Sequence, residues 1–452
     1  MSSVSLFDWT IYRHLFSAEA MERIFGEAAV LERMVAFERA VAKVQGEMGL
    51  IPAEAARQIV DQISADRLDL ERLRKDTAVV GRPVIGLVKQ LGEQAGEDAA
   101  PWVHYGMTTY DVMDTATVLQ IRDGLDEILA GVRRYRDELS QLVADHRDTV
   151  MVARTINMHA LPTTFGAKLA NWLEEMLRHQ ERLEVARERV LVVQLGGAVG
   201  TMASLTPNGL AFRAALAQEL GLGTIKSNWH NARASLSEAM LCLGNLCASL
   251  ARNAHNLSQL AGSDIREVSE GGEAGYGRSS SMAHKRNPRA AEFAEATARL
   301  GRQRATGILD VMGQDHDRHG GTWIAEWMLV PETFLLTSGA LYWAVDLLQR
   351  LEVHPDKMLE NLNASHGLIL TERYTLALAE ELGKAEARRL IEEACAAVLE
   401  TDTPLADILL AMADVRAVLS EEDIRSLADP RTYLGAAGEI VDNVLAVNDK
   451  KE

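Results

Sequence analysis

Residues 277–288 bring together side chains that could exchange protons with a substrate and hold its negative charges. The segment reads Gly-Arg-Ser-Ser-Ser-Met-Ala-His-Lys-Arg-Asn-Pro, so hydroxyls, an imidazole, cations and an amide occur within one short stretch. Residues 271–276, which precede it, are too rich in glycine to form a settled helix or strand. A solvated surface loop is the alternative. We favour the functional interpretation, because catalytic residues are often placed on loops.

This segment resembles the pattern Gly-Ser-Ser-x-Met-Pro-x-Lys-x-Asn-Pro of the fumarase/aspartase superfamily, whose members add or eliminate a group beta to a carboxylate. The resemblance implies that Ser279 is the catalytic base and that Lys285 and Asn287 bind a substrate carboxylate. Removing a proton alpha to a carboxylate creates a dianion, which needs cations or aligned amides around it. A serine is a poor base unless backbone N–H groups or an ammonium stabilise its anion, and a loop that carries Lys285 can supply both.

The loop departs from the family pattern at two positions. Ala283 stands where the family has proline, and Arg278 stands where the family has glycine. Glycine reaches a positive φ angle at little cost and arginine does not, so the departure at Arg278 bears on how the loop closes. A catalytically silent structural homologue is therefore one alternative for the chain.

Two further segments resemble elements that the superfamily uses for the same site. Residues 104–115 are similar to its Thr-Ser-x-Asp-x-x-Asp-Thr element, and residues 154–164 are similar to the segment that carries a general-acid histidine in some branches. Three matches in order are much harder to obtain by chance than one. The resemblance implies that His159, paired with Glu292, assists the leaving group, and it assigns substrate binding to His104, Thr108, Thr109, Arg154 and Thr155. Helix N-capping is an equally weighted interpretation of the two threonines.

The net charge of −18 opposes binding to nucleic acid or to an anionic membrane. An acidic protein that acts on a di- or tricarboxylate needs a local group of cations, for which the candidates are Arg154, Arg233, Arg278, Lys285 and Arg286. The first eight residues show no basic region followed by an apolar stretch, so no secretory signal is visible and a cytoplasmic location is expected.

Neither a metal nor a cofactor is expected. The three cysteines, Cys242, Cys247 and Cys395, have no disulfide or zinc spacing. His316 and His319 could share one helical face, but no third ligand is evident nearby.

The secondary structure is predicted to be almost entirely helical. Apolar residues recur at steps of three and four over residues 118–142 and 169–190, and residues 234–260 are apolar on most faces. Long helices of this kind imply a bundle, and no sustained period-two run indicates a sheet domain. The predicted fold is all-α, with three helical domains at 1–100, 101–352 and 353–452. The resemblance implies a homotetramer in which the central helices form a common core and each active site is shared by three chains.

Two branches of the superfamily resemble the chain most. Adenylosuccinate lyases share residues 103–108 and Glu292, but they carry histidines where this chain has residues 81–84 and Ile156. The 3-carboxy-cis,cis-muconate cycloisomerases resemble it over nearly the whole length, in the segments 81–89, 314–318, 323–327 and 429–435. They differ at residues 232–235 and at Ile324, where that branch has polar residues. The sequence therefore favours a cycloisomerase-like enzyme, with a lyase that releases fumarate from a substituted succinate as the alternative.

Overall fold

The computed structural model describes residues 4–449, and helices dominate this part of the chain. It is 68% helical, with 17 α-helices among the described residues, which confirms the predicted all-α fold. The helices are α1 (Glu19–Phe25), α2 (Glu27–Glu47), α3 (Ala53–Gln62), α4 (Leu70–Val80), α5 (Val84–Ala95), α6 (Thr109–Asp145), α7 (Phe165–Val190), α8 (Gly209–Leu220), α9 (Ala234–Leu260), α10 (Arg289–Gly307), α11 (Gly320–Gln349), α12 (Pro355–Asn363), α13 (Thr371–Thr401), α14 (Leu405–Ala411), α15 (Ala413–Arg416), α16 (Glu421–Leu427) and α17 (Ala437–Asp449). Residues 1–3, part of the segment assessed for a signal sequence, lie outside the described residues.

The three long helices predicted from apolar periodicity are present. Helix α6 contains the predicted stretch 118–142, α7 contains 169–190, and α9 has the predicted bounds. Two of the described helices, α9 and α11, are long and apolar enough to cross a membrane by length and composition, and 61% of the most apolar window of each is buried. That burial is typical of core helices.

Two small antiparallel sheets were not predicted. Strands β1 (Val150–Thr155) and β2 (Met158–Thr164) form a hairpin, and β3 (Val268–Glu270) pairs with β4 (Leu351–Val353). The hairpin turns at Ile156 and Asn157, whose φ angles of 52° and 63° are those of a tight two-residue turn. A register shift between Val152 and Arg154 breaks the simple alternation that would have revealed the strands.

The chain divides into two compact units. The first comprises residues 1–133, 179–251 and 293–343, and the second comprises residues 134–178, 252–292 and 344–452. In the core of the first unit the rings of Phe25 and Phe334 stack with centroids 5.0 Å apart, and a Cβ on Gly124 would lie 2.8 Å from Phe334, so a larger residue there would displace the ring.

The C-terminal helices of the second unit build a core of their own. Leu378, Leu390 and Leu409 lie in its centre, and the buried Tyr374 hydroxyl donates to the Ile424 carbonyl at 2.8 Å. The three-domain division predicted from the sequence stays a prediction.

Candidate active site

In the second unit, the Ser279 hydroxyl oxygen lies against backbone amides of its own loop. It accepts N–H groups from Met282 at 3.2 Å and from Ser281 at 3.4 Å. Amides aimed at one oxygen stabilise negative charge on it. Two backbone amides are therefore aimed at the hydroxyl oxygen of the predicted base. Lys285 is exposed and Asn287 is half-buried on the same loop.

The turn of this loop depends on Gly277. Its φ is +61°, and a Cβ there would lie 2.3 Å from the Asn287 carbonyl oxygen. The Asn287 amide donates to the Gly277 carbonyl at 2.7 Å, and Arg278 pairs with Arg286 in an antiparallel bridge. Arg278 is not among the positive-φ residues of the described chain. The glycine beside it supplies the left-handed conformation, so the arginine carries no backbone strain of that kind.

Glu270 anchors both ends of the loop. Its two carboxylate oxygens accept the amides of Ala290 and Ala291, the second and third residues of α10, each at 2.9 Å. The Tyr276 hydroxyl, at the start of the loop, donates to the same carboxylate at 3.0 Å. Burial raises the pKa of Glu270, while the two amides oppose the rise. A carboxylate at a helix N-terminus thus fixes where the loop begins and ends.

Arg154 on β1 is held by a buried carboxylate rather than left open. It donates to Glu267 through two hydrogen bonds of 2.6 and 2.9 Å, and Glu267 is 0% exposed. Asn361 adds a third donor to Glu267 at 2.9 Å. The arginine therefore orients the hairpin, and its predicted contact with substrate stays a prediction, as does that of the exposed Thr155.

His159 and Glu292 are both exposed, and no ion pair joins them within residues 4–449 of one chain. Burial lowers the pKa of His159, and the nearby charge of Arg154 lowers it further. A histidine in this setting favours the neutral form. The predicted pairing of the two residues is not made inside a single chain.

A cavity of about 550 Å³ lies beside this hairpin. Its lining includes Arg154 and Lys168, together with four carboxamides, those of Asn157, Asn171, Asn256 and Gln259. Burial lowers the pKa of Lys168, and the charge of Arg154 lowers it further. No sequence signal marks Lys168, because it follows the matched segment as an ordinary helix residue.

In the first unit, the fully buried Asp111 holds two segments together. Its carboxylate accepts the amide of Thr108 at 3.0 Å and those of Gly196 and Gly197 at 2.9 and 3.2 Å. The first of these bonds closes the start of α6 through the backbone N–H of Thr108, and the predicted N-capping by the Thr108 hydroxyl stays a prediction. Because a protein carboxylate occupies the amides of the glycine turn, that turn is a structural element of the chain.

Arg318 is the cation that lies beside Thr108. Its guanidinium donates to the Thr108 hydroxyl at 3.3 Å and to the Gly197 carbonyl, and it lies 4.6 Å from the centroid of the Tyr110 ring. Burial lowers its pKa. Arg318 was part of a matched segment but was not predicted as a site residue. Thr109 is half-buried, and its predicted contact with substrate is untested.

Arg233 is buried in a network of protein carboxylates. It donates to Asp114 at 2.8 and 3.1 Å, and to Glu326 at 3.0 Å and through one shorter contact. The Trp323 indole N–H also donates to Asp114, at 2.8 Å. Arg233 is 3% exposed, so its charge is already matched inside the protein. We therefore do not place it in the substrate site.

Burial raises the pKa of Glu326 to about 7, although the charge of Arg233 opposes the rise. Two carboxylates share a single guanidinium, so one of them is poorly compensated.

Within the described residues no group of three His, Cys, Asp or Glu side chains is arranged to hold a metal. His316 has a φ of 54° and precedes α11, so His316 and His319 do not share a helical face.

Comparison with known proteins identifies the family. A family model described as a lyase matches residues 11–300, and one described as the C-terminus of adenylosuccinate lyase matches residues 367–444. The 3-carboxy-cis,cis-muconate cycloisomerase of Bradyrhizobium diazoefficiens is 38% identical over 434 residues, which cover 95% of this chain and 96% of the relative. The chain belongs to the fumarase/aspartase superfamily.

Other members of the fumarase/aspartase superfamily are similar to a comparable degree. The nitrosuccinate lyase of Streptomyces davaonensis is 37% identical over 441 residues, covering 95% of this chain and 93% of the relative. The crystal structure of a fumarate lyase from Mesorhizobium sp. BNC1 superposes with a TM-score of 0.89 at 42% identity, covering 95% of this chain and 98% of that one. The chain is therefore an enzyme of this superfamily, which argues against a catalytically silent structural homologue.

Proposed function

We propose that the enzyme is a cycloisomerase that acts on a tricarboxylate of the 3-carboxymuconate type. In the lactone-forming direction a carboxylate oxygen adds to a conjugated double bond, and the carbon alpha to a second carboxylate takes up a proton. In the reverse direction a base removes that proton, the pair of electrons forms the double bond, and the C–O bond breaks. No atom is lost, so the reaction needs a base for the proton, a group that assists the departing carboxylate oxygen, and a charged pocket.

The observation that carries this proposal is the pair of amides at the Ser279 hydroxyl oxygen. In this role Ser279 exchanges the proton, and Lys285 and Asn287 hold the carboxylate that takes the charge. His159 stands on the opposite side of the substrate. The 38% identity to a named cycloisomerase over 95% of the chain supports this substrate class.

We propose further that the active site is shared between subunits of a homotetramer. This proposal is supported by the exposure of both His159 and Glu292 and by the absence of an ion pair between them within the described residues of one chain. Each of these groups would then find its partner on another copy. If one site takes Ser279 and His159 from different chains, mixing a Ser279→Ala variant with a His159→Asn variant should restore part of the activity. Some sites of the mixed tetramer then contain neither substitution. Two inactive variants that stay inactive after mixing would argue against sharing.

The test of the reaction is direct. Purified enzyme should consume 3-carboxy-cis,cis-muconate with loss of its conjugated-diene absorbance. Ser279→Ala should reduce kcat by a factor on the order of 10²–10⁴. Ser280→Ala removes a neighbouring hydroxyl of the same loop and serves as the matched control, with kcat within about threefold of the wild type. Full turnover by Ser279→Ala would rule out the assignment of the base.

A second candidate, a lyase that releases fumarate from a substituted succinate, is favoured by one position. Ile324, where the cycloisomerases have histidine, is 43% exposed and presents an apolar surface. The similarity to a nitrosuccinate lyase supports the same alternative function. Consumption of fumarate with a nucleophile, without any loss of diene absorbance, would select this alternative.

A further inference from the structure

Glu38, on α2, lies against a segment matched to the family motifs although it is far from that segment in sequence. Its carboxylate is 2.7 Å from Nδ1 of His104 across a separation of 66 residues, and Glu38 is 1% exposed. The second carboxylate oxygen, Oε2, is buried without a hydrogen-bond partner among the described residues. Burying a carboxylate with one oxygen unpaired costs free energy. We therefore expect the contact between Glu38 and His104 to serve the site and not only the packing of α2.

The same face of α2 also fixes the backbone of this turn. The fully buried Gln45 donates from Nε2 to the Tyr105 carbonyl at 2.8 Å. The turn is left-handed at His104, with a φ of 63°, and at Gly106, with a φ of 76°. A non-glycine residue in this conformation is held by its surroundings. Two polar side chains of one helix therefore set both the position of the His104 backbone and the orientation of its ring.

We propose that Glu38 is a positioning residue for His104, accepting the Nδ1–H so that the opposite nitrogen, Nε2, presents a charged N–H to a carboxylate of the substrate. This inference rests on the proposed function of the site. Glu38 does not touch the substrate in this role. The His104 side chain is 18% exposed, so one edge of the ring remains reachable.

The charges around His104 agree with this role. Burial alone would lower the pKa of His104, but the charge and hydrogen bond of Glu38 outweigh it, and Asp111 adds to the effect, so the pKa is raised. Glu38 lies on α2 and Asp111 on α6, and Arg318 reaches Thr108 from the segment before α11. The Glu38 carboxylate contacts the imidazole and the Asp111 charge acts in the same sense, so the pKa of His104 is higher than that of an isolated histidine.

Glu38→Gln tests the proposal, because the amide keeps the size of the side chain and loses the charge. In the variant, KM for the tricarboxylate should rise about tenfold, and the rise should be larger at pH 8 than at pH 6, because burial without the Glu38 charge lowers the pKa of His104, while kcat changes by less than about threefold. Glu38→Asp, which keeps the charge, should recover part of the lost affinity. Equal KM values for wild type and Glu38→Gln across pH 6–8 would overturn the proposal.

Imidazole NMR separates this proposal from the proposed reaction. The His104 ring resonances, assigned by their loss in His104→Gln, should titrate at a lower pH in Glu38→Gln than in the wild type, whether or not the enzyme turns over 3-carboxymuconate. An unchanged His104 titration in folded Glu38→Gln would overturn the positioning role. Failure of the wild-type enzyme to consume 3-carboxymuconate would instead overturn the proposed reaction. If Glu38→Gln does not fold, the same comparison is made with His104→Gln, whose KM should lose the pH dependence seen in the wild type. A His104→Gln variant with the wild-type pH dependence would equally overturn the proposal.

Discussion

The hydroxyl oxygen of Ser279 accepts the backbone amide of Met282 at 3.2 Å. This contact is made within one loop, so the candidate base and the groups that stabilise its anion move together. A substitution that changes the loop backbone should therefore affect catalysis more than stability.

Gly277→Ala tests this relationship. The new Cβ would lie 2.3 Å from the Asn287 carbonyl oxygen at a φ of +61°, so the turn must shift and take the amides with it. We expect kcat to fall at least about tenfold while Tm changes by only about 3 °C or less. Gly275→Ala is the control, because Gly275 also has a positive φ but has nothing within 4 Å of its Cβ position. Equal kcat values for the two variants would count against the role of this turn.

Arg233→Met should destabilise the first unit strongly. It leaves the carboxylates of Asp114 and Glu326 buried without their cation, which costs about 3–5 kcal/mol in the free energy of unfolding. Arg388→Met removes an exposed pair with Glu392, and it should cost less than about 1 kcal/mol. Urea denaturation measures both variants, and similar losses would show that the buried network contributes little.

Glu326 should make stability depend on pH. Its pKa is raised from 4.5 to about 7 in the folded protein, so its contribution to the free energy of unfolding is fully present below pH 4.5 and is lost as the pH rises through 7. The loss is on the order of 3 kcal/mol. Glu326→Gln cannot titrate, so the wild type should lose stability relative to this variant between pH 5 and pH 8. Parallel curves for the two proteins over that range would contradict the expectation.

Arg318→Lys should weaken substrate binding without slowing turnover. Lysine cannot contact the Thr108 hydroxyl and the Gly197 carbonyl and also stack over Tyr110, because it lacks the planar guanidinium. We expect KM to rise about tenfold and kcat to change by less than about threefold. Arg122→Lys is the control, because Arg122 donates to the Leu220 carbonyl and to Asp123 away from these residues. The same KM in both variants would show that the Arg318 contact with Thr108 does not support substrate binding.

The sequence predicted the features that are encoded locally. The periodicity of residues 118–142 identified α6, and the Ser279 loop was recognised from its residue types and spacing. Contacts between distant residues could not be predicted. Arg233 meets Asp114 across 119 residues and Glu326 across 93, and no local pattern distinguishes such an arginine from one that binds a substrate. Glu38 was missed for the same reason, since its contact with His104 spans 66 residues of sequence.

The anchoring of the Ser279 loop by Glu270 has a consequence for protein engineering. Since this one carboxylate holds Tyr276 before the loop and the amides of Ala290 and Ala291 in the first turn of α10 after it, the residues between are attached at a fixed pair of points. Residues 277–288 can thus be treated as an exchangeable cassette. Grafting the corresponding loop of a relative between the same two attachment points offers a route to new substrate preferences on an unchanged scaffold.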